Sequence, residues 1–447
     1  MLNNNLTLKI IIPPFVRSII ARLRDNRYQA YPVGGAIRDS IMGRTATDWD
    51  ITTDAGPSDI KKVFHDIKQF SLKHGTVTLV ESDDLYEITT MKNLNGNTKT
   101  IEKDLSYRDF TIDAIAYDVI KGSIIDPFGG MEDIRGKRIR GVLNPVDRFS
   151  EDPLRLLRAV RLWAEMDFSM EEKTADAIFK MAYRLESVSK ERIREELVKL
   201  LVVRKPSKGL NYLRKNGLMK YIIPELLEGV GKRQNHHHKY TIFRHVMETI
   251  DRIPPDPILR IAALLHDVAK PRVRKKIDDE FRFFGHAEAS ALLAKDIMKN
   301  LRFSNEDIGR SVNLIGLHMI NYDEGWSDGA VRRLIRRAGH ENIQDLIQLR
   351  KADIEGHGIN DDKISLVNML EKRIKEIQTG TLIKGITDLA VDGKKVMEVF
   401  DMESGPLVGE VLGKLLEKIT ETPELNNEKD LVCLMNEMKK NHSPREG

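Results

Sequence analysis

Near residue 150 the hydrophobic pattern of this chain changes period, and that change decides what it can fold into. Before it, short strand-like runs stand between brief helical stretches; after it, apolar residues recur at helical spacing almost to the end. Pro13 to about Asp25 reads as an amphipathic helix with proline at its start. "YQAYPV" reads as a strand leading into Gly34-Gly35 and a helix through Ile41, and "DWDIT" as a second strand. "GTVTLVES" and "LYEITTMK" read as a strand pair joined by "SDD", "FTIDAIAYDV" as a further strand and "DPFGG" as a loop. "SEDPLRLLRAVRLWAEM" then opens the helical part, with Ser150 as candidate N-cap, and "KERIREELVKLLV" follows as an amphipathic helix. A break near Pro224–Gly231 precedes a histidine-rich helical region that reaches about Gly358. Plainer helices end in a polar tail, "KKNHSPREG", expected to be disordered. The expected class is α+β: a mixed α/β head with a small sheet, followed by all-α regions.

At 447 residues the chain exceeds one ordinary core, so several domains are expected. The net charge of +4 is too mild to demand a polyanionic partner, although local clusters of Lys and Arg remain open to one. Cys433 is the only cysteine, which excludes intrachain disulfides and cysteine zinc sites and suits a reducing interior. No run reaches the ~20 apolar residues of a membrane span, and "MLNNNLTLKIIIPPF" lacks a basic leader. A cytoplasmic protein is expected.

Alternation along "DWDIT" places Asp48 and Asp50 on one strand face, where two carboxylates hold divalent cations for phosphoryl chemistry. Glu87 in "LYEITT" is the candidate third carboxylate. The Gly34-Gly35 turn, at a helix start, offers backbone N–H groups to a triphosphate, and Arg38 adds positive charge. A DxD alone is common in surface turns; the full spacing from Gly34 to Asp50 favours the site.

"GGAIRDSIMGRTATDWD" resembles the signature of the class II tRNA nucleotidyltransferase and bacterial poly(A) polymerase family. "YRDFTIDA", "DPFGGMEDI", "EDPLR" and "ERIREEL" are similar to its later motifs, in the same order, over roughly residues 15–225. The resemblance implies a polymerase-beta-like nucleotidyltransferase head at 1–140, with Asp48, Asp50 and Glu87 catalytic and Mg²⁺ on Asp48 and Asp50. It implies a helical neck at 141–228 for base selection and RNA binding. The substrates would be CTP, ATP and the acceptor end of tRNA, extended by C and A, with only the two Cs as one possibility. Arg108 and Asp109 resemble contacts to triphosphate and ribose.

Asp152 and Arg155 stand three apart, hence on one helix face. An Asp accepts from an exocyclic amino group and an Arg donates to ring nitrogens or carbonyls, so the pair admits C and A and rejects G and U. Arg158 and Arg161 continue a basic stripe beside it. Three positions depart from the family pattern: Tyr107, Asp113 and Lys92. The segment from Glu87 to Arg108 is short, which in this family accompanies enzymes that add only C. "RGKRIRG", "KPRVRKK" and "VRRLIRR" supply charge for an RNA track.

Nine of the 12 histidines lie between His236 and His357. His245, the doublet His266-Asp267 and Asp353 make a mixed N/O set suited to a divalent transition metal. In that order they resemble the HD metal-dependent phosphohydrolase domain, at 229–360, with His286 and His318 matching extra ligands of its fuller versions. Lys270 is a candidate phosphate contact; "HHH" at 236–238 reads as a solvated loop, with His238 a candidate helper. A helical C-terminal region, 361–447, completes the division. Two rivals stand beside tRNA nucleotidyl transfer: poly(A) synthesis on RNA 3′ ends, and an HD phosphohydrolase whose N-terminal part only binds RNA. The sequence leaves the oligomeric state open.

Overall fold

The computed structural model describes residues 10–71, 75–82, 84–92, 99–359, 362–379 and 385–442. The chain forms two compact units, Met1–Ile222 and Ile223–Gly447.

In the first unit the strands are β1 (Ala30–Val33), β2 (Asp50–Thr53), β3 (Gln69–Ser71), β4 (Thr76–Glu81), β5 (Asp84–Thr90), β6 (Ala116–Asp118) and β7 (Ser123–Ile125). They make one sheet in the order β3-β4-β5-β2-β1-β6-β7. β2 runs antiparallel to β1 and parallel to β5, pairing Val33 with Asp50 and Asp50 with Glu87. Side chains alternate across the sheet, so Ile51, Val77 and Ile88 fall on the core face and are fully buried. Asp50, Thr52, Glu87 and Thr89 fall on the other. Helix Pro14–Asp25 buries Val16, Ile19, Ile20 and Leu23, the spacing of one helical stripe.

Three local expectations are corrected. The strand begins at Asp50, so Asp48 lies in the irregular segment before it, exposed, while Trp49 is buried. "FTIDAIAYDV" is a strand only at Ala116–Asp118; Thr111–Asp113 form a 3₁₀ turn. Gly130 explains that turn, because a Cβ there would stand 2.1 Å from the Thr111 carbonyl oxygen. The helix expected from Ser150 is two helices, Pro145–Glu151 and Arg155–Met166, and Asn144 rather than Ser150 caps the first by accepting from Val146 N. Residues 93–98, and with them the centre of the short segment after Glu87, lie outside the described residues, as does Asp83 of "SDD".

The second unit is helical apart from a small hairpin, Lys275–Ile277 with Glu280–Arg282. Helices Ile242–Ile250, Pro257–Leu265, His286–Asn300, Asn305–Leu317 and Ile343–Gly356 pack together. Asp256 caps the second of these, and every residue from Leu259 to Leu265 is buried. A further core forms on Val396, Val411, Leu415, Ile419, Leu431 and Met435. The last helix, Glu428–His442, takes in the first residues of the tail expected to be disordered; residues 443–447 lie outside the described part. No described helix is long and apolar enough to cross a membrane.

Candidate active site and metal centre

β1 ends at Val33, and the chain turns at Gly34 with φ +78° and ψ −140° before the helix Gly35–Ile41. A Cβ at Gly34 would stand 2.7 Å from Arg108 Nη1 and 3.5 Å from Asp50 Oδ2. The glycine therefore leaves room for a guanidinium and a carboxylate on either side of the turn. They line a cavity of about 230 Å³ with Glu87, Asp109, Arg155 and Arg158. Burial first, and then Asp113 and Asp48, push the Asp50 carboxyl up against the pull of Arg108 and Arg158. Burial, Asp50 and Asp48 likewise raise Glu87. Carboxylates crowded on one side of a sheet repel one another, and a divalent cation relieves that repulsion. The donors are all oxygen, which suits a hard cation.

Gly35 lies beside Arg38, the residue expected to reach a triphosphate; instead the Arg38 guanidinium is buried. It donates to both Asp39 oxygens at 3.0 and 3.1 Å and to Asp113 Oδ1 at 2.6 Å. Asp113, a departure from the family pattern, is thus the anchor of Arg38. The positive charge lining the cavity comes from Lys92, Arg108, Arg155 and Arg158. Arg161 is also tied down, to Glu196 and Glu165 at 2.9 Å each.

Asp152 and Arg155 do not share a helix. Asp152 is extended, at φ −144°, in the break between the two helices. Arg192 grips its carboxylate with two hydrogen bonds, 3.1 and 2.7 Å. Burial pushes that carboxyl up, but Arg192 outweighs it and holds it below the ordinary range. Arg155, 5% exposed, pairs with Asp109 at 2.5 Å and donates to Glu151, to Arg148 O and to Tyr107 O. Arg158 holds the other Asp109 oxygen at 2.5 Å. Glu151, Arg148 and Arg192 escaped the sequence reading, although all three lie in or beside the quoted motifs "EDPLR" and "ERIREEL".

The basic clusters are largely paired within the fold. Arg138 and Arg140 bind the buried Asp133, Arg272 binds Glu228, and Arg333 binds Glu421. Lys270 is buried, 2.6 Å from Asp267 and 3.1 Å from Gln234, and lines the cavity beside His238 and His357.

In the second unit five helices or their ends bring the expected histidines and aspartates together. His245 comes from Ile242–Ile250; His266 and Asp267 follow Pro257–Leu265. His286 begins one helix, His318 ends another, and Asp353 lies in the last turn of Ile343–Gly356. That last helix approaches closely because residue 356 is glycine: a Cβ would stand 2.3 Å from Thr249 Oγ1 and 3.3 Å from His245 Nδ1.

His245 Nε2 is 3.2 Å from His266 Nε2, 3.4 Å from Asp267 Oδ2 and 3.1 Å from Asp353 Oδ1. His266 Nε2 is 3.4 Å from Asp267 Oδ2 and 3.5 Å from Asp353 Oδ1. A tetrahedral ion with ligands at 2.0–2.1 Å has edges of about 3.4 Å. Five of the six edges among these four atoms are thus 3.1–3.5 Å, close to that length. Asp267 Oδ1 faces the other way, 3.6 Å from His286 and 3.9 Å from His318.

Protons report the same arrangement. Burial pushes His266 down, but Asp267 and Asp353 outweigh it and raise the ring to about 10. Burial and His266 push His318 down to about 3, and burial lowers His245. One ring thus keeps a proton where a cation would stand, while its neighbours present lone pairs.

Comparisons with known proteins agree with this architecture. A model described as the poly A polymerase head domain matches residues 30–140. A model described as "Probable RNA and SrmB-binding site of polymerase A" matches 167–229, and one described as "tRNA nucleotidyltransferase domain 2 putative" matches 283–435. The CC-adding tRNA nucleotidyltransferase of Thermus thermophilus is 31% identical over 87% of this chain and 89% of its own. The CCA-adding enzyme of Lactococcus lactis is 29% identical over 93% and 95%. The crystal structure of the Bacillus stearothermophilus CCA-adding enzyme in complex with CTP superposes with a TM-score of 0.71 at 29% identity, covering 96% of this chain and 99% of that one.

Proposed function

The chain belongs to the tRNA nucleotidyltransferase and poly(A) polymerase family, and from that premise we propose that it extends the 3′ end of tRNA with C and A from CTP and ATP. The observation that carries this is the register placing Asp50 beside Glu87, next to the Gly34 turn. In this reading residues 1–140 are the catalytic head and 141–228 the neck. The terminal 3′-hydroxyl attacks the α-phosphorus, a new P–O bond forms and pyrophosphate leaves. Asp48, Asp50 and Glu87 hold Mg²⁺, which when bound draws charge from the α-phosphate and the attacking oxygen. Arg108 and Arg158 face the triphosphate over the glycine turn. Asp109 accepts from the ribose 2′-hydroxyl on leaving one of its two arginines. Asp152 and Arg155 choose the base, which requires Arg192 to release Asp152. The reaction belongs in the cytoplasm, with tRNA.

The test incubates the full chain with Mg²⁺ and tRNA lacking its 3′ CCA, with CTP, ATP or both. Addition of C from CTP, then A from ATP, supports the reading. Addition of C alone narrows it to a CC-adding enzyme, like the Thermus relative. Long A tails move the substrate to other RNA 3′ ends, and no incorporation sinks it.

A second reading rests on the tetrahedral edges in the second unit: a metal-dependent phosphohydrolase centre on His245, His266, Asp267 and Asp353, with His286 and His318 beside it. Mixed N/O donors suit a divalent transition metal, which when bound activates water for attack on a phosphate ester. Asp267 presents one oxygen to each side. Manganese-, nickel- or zinc-loaded protein should hydrolyse nitrophenyl phosphates, and Asp267→Ala should abolish this. Inertness with every metal would count against the centre.

A further inference from the structure

Three histidines of this centre share one device. His266 Nδ1 donates to Ala263 O at 2.7 Å, His286 Nδ1 to Phe283 O at 2.8 Å and His318 Nδ1 to Ile315 O at 2.7 Å. A backbone carbonyl only accepts, so each Nδ1 carries a proton and each Nε2 points inward, where the neutral ring presents a lone pair; His266 does so once a cation displaces its second proton. His238 repeats the device outside the expected set. Its Nδ1 lies 2.9 Å from Asn235 Oδ1, again three residues back, and its buried Nε2 has no hydrogen-bond partner.

What this Nε2 faces is the outer side of the cage. The rings of His238 and His357 lie 4.2 Å apart, and those of His238 and His245 5.2 Å. His238, His245 and His357 each offer a ligand atom within 4.8 Å of the other two. His357 Nε2 is also 3.6 Å from Asp353 Oδ1, an oxygen that already faces His245 and His266. Unlike Asp267, which turns one oxygen to each side, Asp353 offers the single oxygen Oδ1 to both groups, because Arg350 holds its Oδ2 at 2.7 Å.

We propose that His238 and His357, with Asp353 Oδ1 bridging to the inner centre beside His245, form a third cation position on the outer side of the centre. It takes a borderline transition ion such as Zn²⁺, since its donors are mainly imidazole nitrogens. The position borders a cavity of about 460 Å³ that His238, His357 and Asp353 help to line, so its open coordination site faces an incoming phosphate ester. The histidine run at 236–238, read from sequence as a solvated loop, then has its third member turned inward as a ligand.

The proposal rests on the second unit holding metal as read above, and metal stoichiometry separates the two. Full-length protein, stripped with chelator and dialysed against buffered Zn²⁺, should retain about three equivalents per chain, one for each ligand group. His238→Ala, and His238→Gln as the bulkier variant, should each lose one equivalent with an unchanged far-ultraviolet circular dichroism spectrum. His286→Ala should lose a different one, so that the double variant loses two. In Co²⁺-loaded protein, His238→Ala should remove one set of visible bands. Equal metal content in native protein and both His238 variants overturns the third position and leaves the inner centre standing. Loss of an equivalent in a His236→Ala/His237→Ala variant but not in His238→Ala also overturns it. No bound metal in the native chain overturns both readings.

Discussion

At Gly34 the backbone conformation and the space for a side chain are refused together. The φ of +78° disfavours any L-residue, and Arg108 Nη1 occupies the place of a Cβ, 2.7 Å from it. Gly34→Ala should therefore push Arg108 off the strand end. A reacting group misplaced by about 1 Å costs roughly 100-fold, and kcat/KM for CTP in single-nucleotide addition should fall by that order. Asp50→Asn, which keeps shape and removes the charge facing Arg108, should abolish addition while the melting temperature stays near that of the native chain. Asp133 shows the opposite use of a carboxylate. Fully buried, it accepts from Thr111 Oγ1 at 2.6 Å, Arg138 Nε at 2.6 Å and Arg140 Nε at 2.8 Å. Burial pushes its carboxyl up, but these donors outweigh it and hold the group below the ordinary range. A lowered native value stabilises the fold above the unfolded value of about 3.9 and ceases to do so as pH falls through the native one. Breaking such a pair from one side costs about 3–5 kcal/mol. Asp133→Asn should cost an amount of that order in urea unfolding at neutral pH and flatten the acid limb of stability against pH.

The elements decide how those residues meet, and here sequence and structure part company in instructive ways. Asp152 precedes Pro153, and a residue before proline is pushed out of the helical region. That break was legible in the dipeptide, yet the apolar spacing of "LRLLRAVRLWAEM" continues so smoothly that periodicity alone reads through it. The pairing β4–β5 was readable because both strands alternate and adjoin in sequence. The bond from Arg38 to Asp113 was not, since it joins residues 75 apart through a turn fixed by Gly130. The break also makes a prediction. Arg192 comes from helix Lys190–Leu201 and its pair with Asp152 is partly exposed, with side-chain exposures of 49% and 30%. Exposed pairs contribute about 0–1 kcal/mol, so Arg192→Ala should barely move the melting temperature. It should change the ratio of kcat/KM for CTP over UTP, because Asp152 is then free to turn. An unchanged ratio would show that Arg192 does not govern base choice.

On the scale of the whole molecule, the two units bring together two kinds of donor set: oxygens at the strand end of one, mixed nitrogens and oxygens in the helical core of the other. The second was legible as a set because His and Asp at 245, 266, 267 and 353 are scarce residues in apolar helices. Its tetrahedral edges depend on helix packing that no local pattern encodes. Ligand that binds the folded state at 100 times its Kd stabilises by about 2.7 kcal/mol. Saturating Zn²⁺ should therefore slow hydrogen exchange around His245, His266 and Asp353 and leave β2 and β5 unchanged; equal protection in both units would contradict this assignment. The parallel register of β2 and β5 bears finally on heredity. Between Thr53 and Gln69 the chain leaves the sheet through helix Pro57–Val63, so descendants should gain or lose residues there without moving Asp50 from Glu87. A single codon inserted inside β5 ahead of Glu87 turns its side chain to the core face. Lineages of this protein are free to vary in length on one side of that boundary and are held to the residue on the other.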